Sequence, residues 1–185
     1  MSLIISRRNT LKTTAIVTLP YIKGSVIEEK LGDLVLIKVK NKVVGLNILN
    51  FKKYFEAKEG AHTINNAQIE AIKKLGYNLK TSNSMFSIGE IIERKIHHKS
   101  GKLYILKVKT NKIITIVTNI ENAIIGNKVV VANVGATLPS GVTILHFKVM
   151  NIISEGMLCS RETLDKEDAI GPLMISGKNG DEYIL

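Results

Sequence analysis

Apolar residues along this chain fall in short runs rich in β-branched side chains. Leu103-Tyr104-Ile105-Leu106-Lys107-Val108, Ile113-Ile114-Thr115-Ile116-Val117 and Lys128-Val129-Val130-Val131-Ala132 are each bounded by Gly, Asn, Ser or Pro. Branched and aromatic side chains suit a pleated, half-buried surface, and turn residues at near-regular spacing stop each run, so the pattern predicts an antiparallel barrel. Similar runs occur earlier. Thr13–Leu19 stops at Pro20, and Leu34–Val39 and Val43–Ile48 flank an Asn41-Lys42 turn, which predicts a hairpin. Around Asn65 the period changes. Gln68 stands three residues after Asn65, and Ile69, Ile72 and Leu75 recur at helical spacing before Gly76, which predicts a capped helix of about ten residues. The polar, aperiodic Lys80–Ser84 stretch reads as a boundary. The expected class is mainly β: an α+β extension over 1–80, a five-stranded barrel over 84–176 and a tail over 177–185. After the barrel strands, Arg161-Glu162-Thr163-Leu164 reads as a short helical turn and Ile170–Ile175 as a last strand packing back.

Composition narrows the setting. A chain of 185 residues with 45% hydrophobic content is globular and long enough for one sizeable domain or two small ones. No run of about 18 apolar residues occurs, so no membrane span is expected. Met1–Arg8 lacks the order of a signal peptide, and the single Cys159 cannot form an internal disulfide. A cytoplasmic protein is expected.

Charge then changes the picture. The net charge is +10, from 26 Lys plus Arg against 16 Asp plus Glu, and only Arg7, Arg8, Arg94 and Arg161 are arginines. Lysine is a hydrated point charge suited to sequence-blind attraction to phosphates, whereas arginine's fork suits bidentate readout. From Arg94 to Ser160 nine cations face two anions, while from Arg161 to Leu185 three cations face six anions. Residues 1–80 carry 14 cations and six anions, so the extension could share in binding a polyanion. A charge run can equally be a solvated face.

Catalytic chemistry finds no constellation. The His and Cys residues lack the recurring spacing of a zinc site, Cys159 has no base at recognisable distance, and neither a phosphate-binding loop nor a dinucleotide fingerprint occurs. No cofactor, metal or enzymatic activity is expected. Between Leu103 and Ser160 only Tyr104 and Phe147 could stack on bases, and the chain has no Trp. Single-strand binders rely on aromatic platforms, so structured RNA read by backbone and shape fits better.

The order of several pieces resembles a known family. Phe86–Ile91 opens a strand, Ile116–Asn122 follows, then Gly126-Asn127-Lys128-Val129-Val130-Val131-Ala132 and Gly135-Ala136-Thr137-Leu138-Pro139, and Ser154-Glu155-Gly156-Met157-Leu158-Cys159-Ser160 closes the set. This is similar to the tRNA-binding OB-fold domain of the endothelial monocyte-activating polypeptide, of many methionyl-tRNA synthetase C-termini and of the bacterial phenylalanyl-tRNA synthetase β-subunit. Gly32–Ile37 followed by Val43–Asn50 resembles the N-terminal extension of stand-alone bacterial YtpR-type tRNA-binding proteins.

The resemblance implies a non-catalytic tRNA-binding protein, with Ser154, Met157 and Ser160 at or near the RNA-facing side. Lys95, Lys99, Lys102, Lys107, Lys109 and Lys148 would contact phosphates, with Asn122 and Arg161 beside them. Partners implied are tRNA, a second copy paired through an exposed barrel edge, and an aminoacyl-tRNA synthetase assisted in trans. The alternative is a protein-interaction or chaperone-like module on the same barrel. Two loops depart from the family. His97-His98-Lys99-Ser100-Gly101-Lys102-Leu103 lacks the usual proline and acids, and Thr118-Asn119-Ile120-Glu121-Asn122 lacks the usual Gly and Pro.

Overall fold

The structure is a computed structural model and describes residues 4–7, 11–79, 84–164 and 171–185. Two compact units emerge, Met1–Asn83 with Ile184–Leu185, and Ser84–Tyr183.

The first unit is a six-stranded antiparallel sheet with one helix. Its strands are β1 (Ile4–Arg7), β2 (Thr14–Thr18), β3 (Val26–Leu31), β4 (Leu34–Val39), β5 (Lys42–Leu49) and β6 (Gly60–Thr63), in the order β3-β4-β5-β2-β1-β6. Alternation puts Ala15, Val17, Leu34, Leu36, Leu46 and Ile48 into a core with Phe51, Ile64 and Ile72. The β4–β5 turn sits one residue earlier than the apolar pattern suggests. Lys40 (φ 48°) and Asn41 (φ 62°) hold its left-handed positions, and Lys42 already opens β5.

Helix α1 (Asn66–Lys74) starts as its sequence dictates. The Asn65 side chain accepts from the Gln68 amide at 2.9 Å, and the Gln68 side chain accepts from the Asn65 amide at 3.1 Å. Gln68 is buried, and its Nε2 donates to the Glu56 carbonyl at 2.9 Å. The same Nε2 lies 3.4 Å from His62 Nε2, a contact that requires a neutral imidazole accepting from the amide.

Burial, with a smaller contribution from Lys58, lowers the His62 pKa from its ordinary 6.5. The unfolded chain therefore takes up this proton at a higher pH than the folded one, so stability is full above about pH 6.5 and falls on acidification below it. The urea midpoint of the first unit should drop between about pH 7 and pH 5, and His62→Gln should flatten that drop. An identical slope in the variant would remove His62 from the account.

One edge of this sheet is covered and the other is charged. On β6, Thr63 N–H donates to the Leu185 carbonyl at 3.3 Å and Leu185 N–H donates to Thr63 Oγ1 at 2.9 Å. All six residues of β3 are exposed, and Glu28, Glu29 and Lys30 on it discourage strand addition.

The second unit holds β7 (Phe86–Ile96), β8 (Tyr104–Lys109), β9 (Ile113–Thr118), β10 (Lys128–Asn133), β11 (Phe147–Val149), β12 (Ile152–Ser154) and β13 (Gly156–Leu158). Five of them form an antiparallel sheet in the order β13-β10-β7-β8-β9. A register shift between Ile91 and Glu93 bends β7, so its first half pairs β10 and its second half pairs β8. The β12–β13 corner then reaches the far strand. Glu155 N–H donates to the Thr115 carbonyl at 2.8 Å, Thr115 N–H to Glu155 Oε2 at 2.9 Å, and Val117 N–H to Ser154 Oγ at 3.1 Å. The result is a nearly closed five-stranded barrel, an OB-fold. Ile91, Leu106, Val108, Ile114, Ile116, Val129, Val131 and Leu158 fill it.

The chain after the barrel strands closes remaining gaps. Pro172 has no N–H to give a ladder, and the 171–175 segment docks through isolated bonds in place of a strand: Leu173 N–H to the Cys159 carbonyl, Val130 N–H to the Leu173 carbonyl, Ile175 N–H to the Lys128 carbonyl. Residues 177–183 flank the half of β7 that β8 does not reach, with Ile88 N–H donating to the Asp181 carbonyl at 2.8 Å and Tyr183 N–H to the Phe86 carbonyl at 3.0 Å. Those residues are part of the barrel unit.

Candidate nucleic-acid interface

Strand register sorts the cations of the barrel into two groups. On the outer face of β7 and β8, Lys107 stands directly across from Glu93 and Lys109 across from Glu90. Lys95 Nζ lies 3.4 Å from Glu93 Oε2, and Lys107 Nζ donates to Thr115 Oγ1 at 3.0 Å. Exposed pairs of this kind are worth about 0–1 kcal/mol, so the lysines are held only loosely, but the local charge is close to balanced.

The second group consists of exposed cations next, in the chain, to residues that line a cleft of about 780 Å³. Leu103, Val117, Val149, Met157 and Leu158 form its apolar walls, and Thr118, Asn119, Ser160 and Glu162 its polar positions. A further space of about 610 Å³, lined by Glu121 and Asn122, shares Asn119, Ile120 and Gly171 with it. Three exposed cations adjoin lining residues in the chain: Lys102 precedes Leu103, Lys148 precedes Val149, and Arg161 separates Ser160 from Glu162.

Local bonding replaces what the two divergent loops lack. In the 97–103 loop, buried His97 is the anchor. Its N–H donates to the Leu103 carbonyl at 2.8 Å, its carbonyl accepts from Ser100 N–H at 2.9 Å, and its Nδ1 accepts from Lys99 N–H at 3.1 Å. The His98 ring stacks on it with centroids 4.8 Å apart, and Lys99 and Lys102 remain exposed on the tip. In the 118–122 loop, Thr118 Oγ1 accepts from Ile120 N–H at 3.1 Å, and an Arg94 N–H donates to the Glu121 carbonyl at 2.9 Å. The Arg94 guanidinium sits 3.8 Å from the Tyr104 ring centre, so one face of that ring is already occupied.

The closing heptad is mostly barrel machinery. Ser154 is buried, and its hydroxyl donates to the Gly156 carbonyl at 2.9 Å while accepting from Val117 N–H. Ser160 and Thr163 bond one another, with Ser160 N–H 2.8 Å from Thr163 Oγ1 and Thr163 N–H 3.2 Å from Ser160 Oγ, capping the turn at Glu162–Leu164. Met157, Leu158 and Ser160 of the heptad line the cleft. Burial pushes the Cys159 thiol up to about 12, which keeps it protonated and unreactive near neutral pH.

Residues 86–179 match the family described as "Putative tRNA binding domain". The chain belongs to this family. It is 30% identical over 152 residues, 76% of each chain, to the "Putative tRNA-binding protein YtpR" of Bacillus subtilis (strain 168). It is 34% identical over 107 residues to the phenylalanine–tRNA ligase beta subunit of Listeria monocytogenes serotype 4b, covering 57% of this chain and 13% of that subunit. For the Thermotoga maritima subunit the identity is 43% over 79 residues, 42% of this chain and 10% of the subunit. The likeness to the ligases is thus confined to a small part of their length.

Against this tRNA-binding domain the expected site residues divide cleanly. Lys102, Asn122, Lys148, Met157, Ser160 and Arg161 line or adjoin the cleft, and Lys99 shares the His97-anchored turn with Lys102. Lys95, Lys107 and Lys109 lie on the acid-balanced outer face, and Ser154 faces inward. Asn119, Ile120, Glu121 and Arg94 were not singled out by pattern. Arg94 offers one signal in retrospect: within the barrel strands it stands as an arginine among lysines.

Proposed function

We propose that this protein binds tRNA and catalyses no reaction on it, acting in translation in the cytoplasm. The observation that carries the reading is the match of residues 86–179 to a tRNA-binding domain family, and the exposure of Lys99, Lys102, Lys148 and Arg161, three of which neighbour cleft residues in the chain, supports it. Lysine-dominated contacts hold phosphates without reading bases, so recognition rests mainly on the folded shape of the RNA. Asn122, Met157 and Ser160 contribute the surface between those cations, and Lys95, Lys107 and Lys109 add a weaker, more distant attraction. The domain shared with ligase beta subunits favours an accessory role beside a synthetase, which co-purification would reveal.

A filter-binding titration of unfractionated tRNA, a DNA duplex and a DNA single strand at two salt concentrations tests the reading. With four phosphates engaged, the log–log salt slope for tRNA should be about −3 to −4. Equal affinity for tRNA and single-stranded DNA would sink it, and salt-insensitive capture of apolar peptide would favour a chaperone-like module instead.

A further inference from the structure

We infer that the cleft takes an unpaired nucleobase of the bound RNA, one bearing an exocyclic amine, while the surrounding cations hold its neighbouring phosphates. This rests on the tRNA-binding reading above. Among the described lining residues there is no lysine or arginine, whereas Glu121 and Glu162 both contribute. A phosphate placed in the cleft would face the Glu162 carboxylate and, among the described lining residues, meet no cation, so the RNA backbone stays outside.

A base has the complementary chemistry. Its faces are apolar enough for the walls made by Leu103, Val149 and Met157, and its edge carries donors and acceptors. The polar groups of the cleft differ in what they have left to give. The hydroxyl of Thr118 is bonded to Ile120 N–H, and those of Ser160 and Thr163 to each other. The Asn119 and Asn122 amides and the Glu121 and Glu162 carboxylates have no side-chain hydrogen bond among the described residues. An amide offers one donor group and one acceptor, and a carboxylate accepts from an amine, so adenine or cytosine, whose edge pairs an exocyclic amine with a ring-nitrogen acceptor, suits the site better than uracil. An apolar peptide side chain would match the walls but make no use of those four exposed polar groups.

The cation placement fits the same arrangement. Lys102, Lys148 and Arg161 are exposed and each neighbours a lining residue in the chain, so they are the cations proposed to meet the phosphates on either side of an inserted base. Cations outside and carboxylates within would be an odd way to hold a backbone and a direct way to hold a base between two phosphates.

The test uses the full chain and unfractionated tRNA. Dissociation constants are measured for the parent, Asn119→Ala and Val149→Trp at two salt concentrations, and dimethyl sulfate probes the Watson–Crick edges of unpaired adenines and cytosines. Both variants should bind about 5- to 50-fold more weakly with an unchanged salt slope, because a base contact is lost while the phosphate contacts stay. The parent should protect at least one unpaired adenine or cytosine, and the variants should not. Asn119 is exposed, so Asn119→Ala keeps the comparison decisive even if Val149→Trp disturbs the hairpin. Steep, salt-dependent binding with unchanged variants and no protected base would overturn the cleft assignment while leaving tRNA binding in place. No tRNA binding by the parent would overturn both, and a peptide displaced by Val149→Trp in a salt-insensitive assay would assign the cleft to protein.

Discussion

A protein carrying Lys99→Glu together with Lys102→Glu should bind tRNA about 100-fold more weakly than the parent at low salt, with a log–log salt slope shallower by about 2. Each lysine that neutralises a phosphate contributes about 0.7–0.9 to that slope, and glutamate adds repulsion where attraction is removed. Both side chains are exposed, on a turn whose bonds run through His97, Ser100 and the backbone, so the fold should survive the exchange. Lys109→Glu makes an informative control. Lys109 stands across from Glu90 on a balanced face, and its reversal should cost far less affinity. Comparable losses from the control and the double variant would show that only total charge matters, and the cleft end would lose its special standing.

The second large effect concerns the barrel itself. Gly156→Val should destabilise the barrel unit by about 3 kcal/mol or more, because overpacking at a closing strand must move backbone. A Cβ at this position would lie 2.9 Å from the Ala132 carbonyl oxygen and 3.3 Å from Val131 Cγ1, both on β10, where β13 pairs. Neither neighbour is the far end of a flexible side chain. Thermal unfolding of the full chain should show the barrel transition lowered by roughly 4–8 °C per kcal/mol, the scale for a unit of this size. A variant that melts with the parent would mean that β13 can shift away from β10 without loss, contrary to the register observed.

Much of the architecture was legible because its signals are local. The β-branched runs of β8, β9 and β10 announce themselves, and Asn65 with Gln68 marks the helix start by side-chain chemistry that needs no tertiary partner. Strands β1, β3 and β6 give a weaker signal: β3 buries none of its six residues, so there is no alternation to read. The interface was harder for the same reason. Counting lysines cannot say that Lys107 and Lys109 will face Glu93 and Glu90, since that follows from a bulge at Ile91–Glu93 that sets the register. Ser154 looked like a hydroxyl available to a phosphate, yet closure of the barrel uses both its donor and its acceptor capacity. Loss of Gly and Pro from the 118–122 loop suggested an altered path, and the stabilising contact, Arg94 to the Glu121 carbonyl, comes from 27 residues away.

The assignment of Ile184–Leu185 to the sheet unit makes the barrel an insertion: its 100 residues leave from one part of the first unit and return to another. A single cut between Leu79 and Ser84 would therefore break the covalent link on one side and leave Ile184–Leu185, hydrogen-bonded to Thr63, as the tie of the barrel fragment to β6. A first unit expressed as residues 1–83 alone would lack Leu185 and so lose the backbone partner of its β6 edge.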